Sequence, residues 1–194
     1  MTPTTKPHSG ALAGCLLAVT LTACQSSIPN REPVGESLPA VSGESLDGRT
    51  LELPEALSGE PAVLLLGYAQ DAQFDADRWL YGLLQAGLPV QLFEVPTIPG
   101  LFPRVLSDTI DSGMRSGIPS EDWASVVTVY GNDAEQLVQF TGNVKPRNIR
   151  VLLLDGSGRV LWFHDRGFSA GKLIELERAV RDAGASSAGS ASPP

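Results

Sequence analysis

The chain has 194 residues, 42% of them apolar, and a formal net charge of −8. That is the length of one domain with enough apolar material for a packed core, and it excludes duplex nucleic acid as a partner, because binding phosphate backbones needs a basic face. Fifteen prolines and twenty glycines mark a loop-rich chain, and its two cysteines are Cys15 and Cys24.

The N-terminus reads as a targeting segment, residues 1–23. Lys6 and His8 supply a weakly positive start, and Ala11 to Ala23 is an apolar run. A spanning helix needs roughly 20 residues, so this run suits a signal-peptide core instead. It ends in Leu21-Thr22-Ala23-Cys24, which resembles the bacterial lipobox. The resemblance implies cleavage before Cys24, a diacylglycerol on its thiol and a fatty acid such as palmitate on its new amine. An ordinary signal peptide with an incidental cysteine is the alternative. Gln25 rather than Asp follows Cys24, which by the same resemblance points to the outer membrane of a Gram-negative envelope, periplasmic face. Cleavage removes Cys15 and Lys6 and lipid consumes Cys24. The remaining body has no thiol, and 13 basic residues face 22 acidic ones.

Residues 24–38 hold Ser26, Ser27, Pro29, Pro33, Gly35 and Ser37 without apolar period and are expected to form a lipidated tether. The folded domain is expected over 39–184. Val41–Ser45 and Thr50–Leu53 flank Asp47-Gly48, a pattern for a hairpin. Pro54 to Leu57 suits one helical turn. Ala62 to Tyr68 is an apolar run that predicts a strand covered on both faces. A helix is predicted over 72–86, with Asp71, Asp75 and Asp77 favoured at its start by the helix dipole and Gly87 as its stop. A strand over 88–95, a helix over 101–114 and a strand over 125–130 follow. Asn132 and Glu135 suggest a capped short helix through Phe140. Ile149 to Leu154, the turn Asp155-Gly156-Ser157-Gly158 and Arg159 to His164 predict a second hairpin, and Ser169 precedes a helix over 170–183 that Gly184 ends. Residues 185–194 are expected to be a disordered tail.

This order, with Asp47 to Trp79 at one end and Ile149 to Ala183 at the other, resembles the thioredoxin-like superfamily. The fold class implied is α/β: a three-layer sandwich with a central mixed sheet flanked by helices. Leu154-Asp155 with Gly158-Arg159-Val160-Leu161-Trp162 is also similar to the end of the Atp10 family of assembly factors, and the opening segment is peroxiredoxin-like. The resemblance aligns the redox cysteines of that superfamily with Ala72 and Asp75, and its cis-proline with Ile149. None of the three residues present does redox chemistry: disulfide exchange needs a thiolate at the helix start and a second thiol to resolve the mixed disulfide. Arg150 matches an arginine that peroxiredoxins place near their reactive cysteine, and without that cysteine an ion pair is expected of it.

The remaining chemistry is sparse. Asp71, Asp75 and Asp77 lack the loop that calcium needs, so no metal is expected. His164, beside Asp165, is the only histidine after the targeting segment and reads as a surface residue rather than a catalyst. Trp79, Trp123 and Trp162 are too far apart in sequence to argue a ligand cage, and Trp79 suits the core. Asp71, Arg150 and His164 are the candidate binding residues. No catalytic residue and no cofactor is assigned. The functional expectation is a lipid-anchored, redox-inactive binding or assembly module at the cell envelope, held to the membrane through Cys24 and partnered by another envelope protein. A thiol-independent enzyme or redox-derived accessory protein, and a small-ligand or metal carrier, are the alternatives.

Overall fold

The computed structural model describes residues 27–100 and 104–190. Cys15 and Cys24, with the targeting segment, lie outside the described residues, as do residues 191–194.

Seven strands form one sheet: β1 (Val41–Ser45), β2 (Thr50–Leu53), β3 (Ala62–Gly67), β4 (Gln91–Ile98), β5 (Val127–Tyr130), β6 (Arg150–Leu154) and β7 (Val160–His164). Their spatial order is β2-β1-β5-β4-β3-β6-β7. The middle is parallel, β3 with β4 and β4 with β5, and both flanks are antiparallel. Strand β3 therefore lies inside the sheet. Residues Ala62 to Leu66 are wholly inaccessible, as an uninterrupted apolar run covered on two faces requires.

Four helices complete the layers: α1 (Gln73–Ala86), α2 (Arg104–Gly117), α3 (Gly131–Thr141) and α4 (Ala170–Ser190). Strand residues alternate between faces. Val63, Leu65, Val151 and Leu153 pack with Trp79 and Leu83 of α1 and Leu176 and Val180 of α4. Leu64, Leu66, Leu152 and Leu154 pack on the opposite face with Leu137 and Val138 of α3. Helix α1 stops at Gly87, whose φ of 59° suits a residue without Cβ and whose N–H reaches Leu84 O at 3.2 Å.

Two expectations are corrected. The final helix does not stop at Gly184 but continues to Ser190. Residues 185–190, expected as tail, are thus helical, because glycine weakens a helix interior without forbidding it. More importantly, residues 28–38 are not a free tether. Ile28 N–H donates to Asn143 Oδ1 at 2.6 Å and Asn143 N–H to Ile28 O at 3.0 Å. Arg31 N–H reaches Thr141 O at 3.2 Å. Further on, Gly35 N–H donates to Val160 O at 2.8 Å, Val160 N–H to Glu36 O at 2.9 Å and Leu38 N–H to Gly158 O at 2.9 Å. The segment is a strap running antiparallel to β7 and pairing with that edge, which would otherwise present open backbone groups. Backbone bonds hold it along its length, with Leu38 buried in the core and Ile28 packed against it, and two apolar anchors ten residues apart make no periodicity.

Candidate functional site

The C-terminal ends of β3 and β4 meet the start of α1 at one end of the sheet. In open α/β sheets this is where ligands and reacting groups collect. The strands β6 and β7 are antiparallel to β3 and to each other, so Ile149 and Arg150 at the start of one, and His164 and Asp165 at the end of the other, reach the same end.

Ala72 closes a short 3-10 turn just before α1 and is buried. It offers a methyl group and no chemistry. Asp75, one turn on, is 8% exposed. Its Oδ2 accepts from Ile149 N–H at 2.9 Å, and its Oδ1 from Phe168 N–H at 2.7 Å. The helix-start carboxylate thus ties α1 to the segments leading into β6 and α4. Ile149 is buried, and the only cis peptide among the described residues is Leu53–Pro54.

Arg150 is fully buried and does not form the expected ion pair. Its guanidinium donates to carbonyl oxygens instead: Gly142 at 3.2 Å, Lys145 at 3.2 Å, Asn148 at 2.6 Å and Val144 at 2.9 Å. Asn30 Oδ1 of the strap lies 3.5 Å from Nη2. The cation also sits 4.9 Å from the centre of the Tyr68 ring. A planar fork of five donors matches a loop that turns its carbonyls inward, which a carboxylate partner would not satisfy. Burial holds the guanidinium below its usual pKa, opposed by the nearby Tyr68 and Asp165. Tyr68 is buried beside it, its hydroxyl 3.0 Å from Leu137 O and 2.6 Å from Thr141 Oγ1, and burial pushes its pKa up.

Asp71 is exposed and paired with Arg147 at 2.9 Å, a surface contact of small energetic weight. His164 is half-buried, its Nε2 2.9 Å from Gly167 O. Its ring lies 5.8 Å from Trp79 and 5.9 Å from Trp162. Trp79 is wholly buried, as expected of a core residue, and meets Trp162 and Phe168 edge-on at 6.2 and 5.4 Å. His164 is therefore part of an aromatic cluster, not an isolated surface group. Among the candidate binding residues, Arg150 and His164 both lie beside the Asp75 bridge, while Asp71 stands outside it.

Several contributors were not legible in the sequence. Asn30 bonds the Val144 amide at 2.8 Å and also the carboxylate of Asp165. Asn148 Nδ2 donates to Asp165 O at 3.2 Å. An asparagine in a Pro- and Ser-rich stretch gives no local signal of a partner 135 positions away. Phe74, by contrast, lies between Ala72 and Asp75 and is 75% exposed. With Tyr81 and Leu84 it forms an apolar stripe along the open side of α1, at spacings of seven and three residues. No group of three His, Cys, Asp or Glu side chains placed to hold a metal occurs among the described residues.

Chemically, Ala72, Asp75 and Ile149 present no thiol. Both oxygens of Asp75 are engaged by amides and the Arg150 donors by carbonyls. Open to a partner are the Phe74 side chain and the stripe behind it, beside the exposed Asp71–Arg147 pair.

No protein-family model matches the chain, and no curated protein does. Solved structures match across most of its length. A SCO1/SenC family lipoprotein from Bacillus anthracis is 15% identical, with a TM-score of 0.52 over 80% of this chain and 99% of that one. Arabidopsis thaliana ScoI, solved with copper bound, is 13% identical, with a TM-score of 0.51 over 74% of this chain and 98% of that one. A candidate protein disulfide isomerase from Bacteroides thetaiotaomicron is 13% identical, with a TM-score of 0.51 over 81% and 93%. At such identities the likeness concerns backbone architecture alone. The chain is an α/β protein with the thioredoxin-like fold.

Proposed function

We propose that this protein is a lipid-anchored domain of the bacterial cell envelope that uses the thioredoxin-like fold to bind or assemble a partner, not to exchange disulfides. The carrying observation is the bridge from Asp75 to the Ile149 and Phe168 amides. Where exchange requires a sulfur nucleophile, a carboxylate is committed to holding the loops together. Leu21-Thr22-Ala23-Cys24 supports the anchor, and Gln25 favours the outer membrane of a Gram-negative cell. The exposed Phe74, Tyr81 and Leu84 support a contact surface beginning at the same helix start, since apolar side chains in a row on an open helix face mark interaction sites.

The test has two arms. Residues 25–194 are assayed for insulin reduction with dithiothreitol, and the rate should match a no-protein control; turnover above it would refute redox inactivity. A photoreactive phenylalanine analogue is then placed at Phe74, and separately at Glu60 on the far end of the sheet, in the full chain in its own membranes. A discrete protein adduct from position 74 and none from position 60 is expected. Identical adduct patterns from both would remove the contact surface.

A further inference from the structure

The strap fixes where the chain leaves the body. Ile28 is bound at both its N–H and its C=O by Asn143, beside the loop 142–148 that encloses Arg150. This is the end of the sheet that carries Ala72, Asp75 and Ile149. Only residues 25–27 separate Ile28 from Cys24, and four residue steps span at most about 14 Å fully extended. A free tether beginning at Pro39 would have let the domain tumble. A strap that starts at Ile28 does not.

We propose that the phospholipid surface is the partner of this end: the loop 142–148 and the strap start face the headgroups, and the opposite end, with Glu60 and the Asp155–Gly158 turn, points away from the bilayer. This rests on the lipid-anchor reading of Cys24. Chain length is the argument. Charge is close to balanced at this end: Lys145, Arg147 and Arg166 stand beside Glu32, Asp71 and Asp165, with Arg147 paired to Asp71 at 2.9 Å and Arg166 to Asp165 at 4.0 Å, so this end is spared the repulsion that an anionic leaflet exerts on the acidic remainder. The Glu60 end stands a strand length farther out, roughly 20 Å for a strand of six residues at 3.3 Å each. A partner reaching Phe74 would then itself lie at the membrane.

The test uses the full lipidated chain in vesicles of phosphatidylethanolamine and phosphatidylglycerol. Single cysteines, Val144→Cys and Glu60→Cys, are labelled with a fluorophore, the acylated Cys24 being blocked. Quenching by a headgroup-nitroxide lipid is read for each. Position 144 should be quenched several-fold more strongly than position 60, and twelve Gly/Ser residues inserted between Ser26 and Ser27 should erase most of that difference while the protein still floats with vesicles. Equal quenching at the two positions in floating protein, or an insertion without effect, overturns the orientation alone. Wild-type protein that fails to float overturns the anchor reading, and the orientation with it.

Discussion

Asp75 Oδ2 lies 2.9 Å from the amide nitrogen of Ile149, 74 positions along the chain. These are two of the three positions that the resemblance to the thioredoxin-like superfamily aligns with redox residues, and the contact makes each depend on the other. Proline has no N–H. A proline at 149 would leave the Asp75 carboxylate short of one donor, and a thiol at 75 would leave the Ile149 amide without a strong acceptor. Asp75→Ala should therefore cost about 3 kcal/mol, because the buried Ile149 amide and the half-buried Phe168 amide lose a charged acceptor. Ile149→Pro should cost less when combined with Asp75→Ala than in the parent. Urea denaturation of the parent, the two single variants and the double variant measures the coupling, and strict additivity would mean that the contact contributes nothing.

Arg150 is a second structural centre. Replacing it with Met leaves four loop carbonyls without their donor and should cost at least about 3 kcal/mol. Arg150→Lys should rescue little, since an ammonium group lacks the planar fork. Hydrogen exchange localises the effect: the amides of 142–149 should lose protection first. Unchanged protection there in Arg150→Lys would show that charge alone holds the loop.

Glu94 on β4 has its pKa raised above the ordinary 4.5, chiefly by burial, with Asp77 adding to the rise and a hydrogen bond from Gln73 opposing it. A carboxyl whose folded pKa is raised favours the fold fully below its unfolded value and loses that contribution as pH climbs through the folded value. Glu94→Gln should hence raise the melting temperature at pH 7 and leave it nearly unchanged at about pH 4, below the unfolded value. Thermal denaturation at both pH values decides; an equal gain at each would assign the effect to packing rather than ionisation.

Gly142 ends α3 with φ of 76°, and a Cβ there would meet the Pro29 carbonyl and Asn30 Cα, with Asn30 N at 2.7 Å. All are backbone atoms, so neither partner can give way by changing rotamer. Gly142→Ala should release the start of the strap, and brief trypsin treatment should then cut after Arg31 well before the rest of the body. An equally resistant Arg31 in parent and variant would mean that the strap is not held at Gly142.

The elements of this fold were legible because their causes are local. The run Ala62 to Leu66 had to be a covered strand, Asp47-Gly48 and Asp155 to Gly158 had to be turns, and the periodic leucines after Trp79 and Ser169 had to be helices. The absence of sulfur after Cys24, apart from one methionine, was equally a property of the sequence. What a local pattern does not contain is the destination of a polar group. Asp75 reads as a helix-start acid whether its oxygens meet water or the amides of Ile149 and Phe168. Arg150 reads as half of an ion pair until a loop wraps its carbonyls around it. Residues 28–38 have no apolar period because backbone amides and two asparagines, Asn30 and Asn143, hold them to the end of α3 and to β7, and hydrogen bonds between segments more than a hundred residues apart leave no periodicity to find. Burial of apolar surface acts through composition and spacing, which the sequence states outright. The pairing of buried polar groups acts through direction and distance, which only the folded chain supplies.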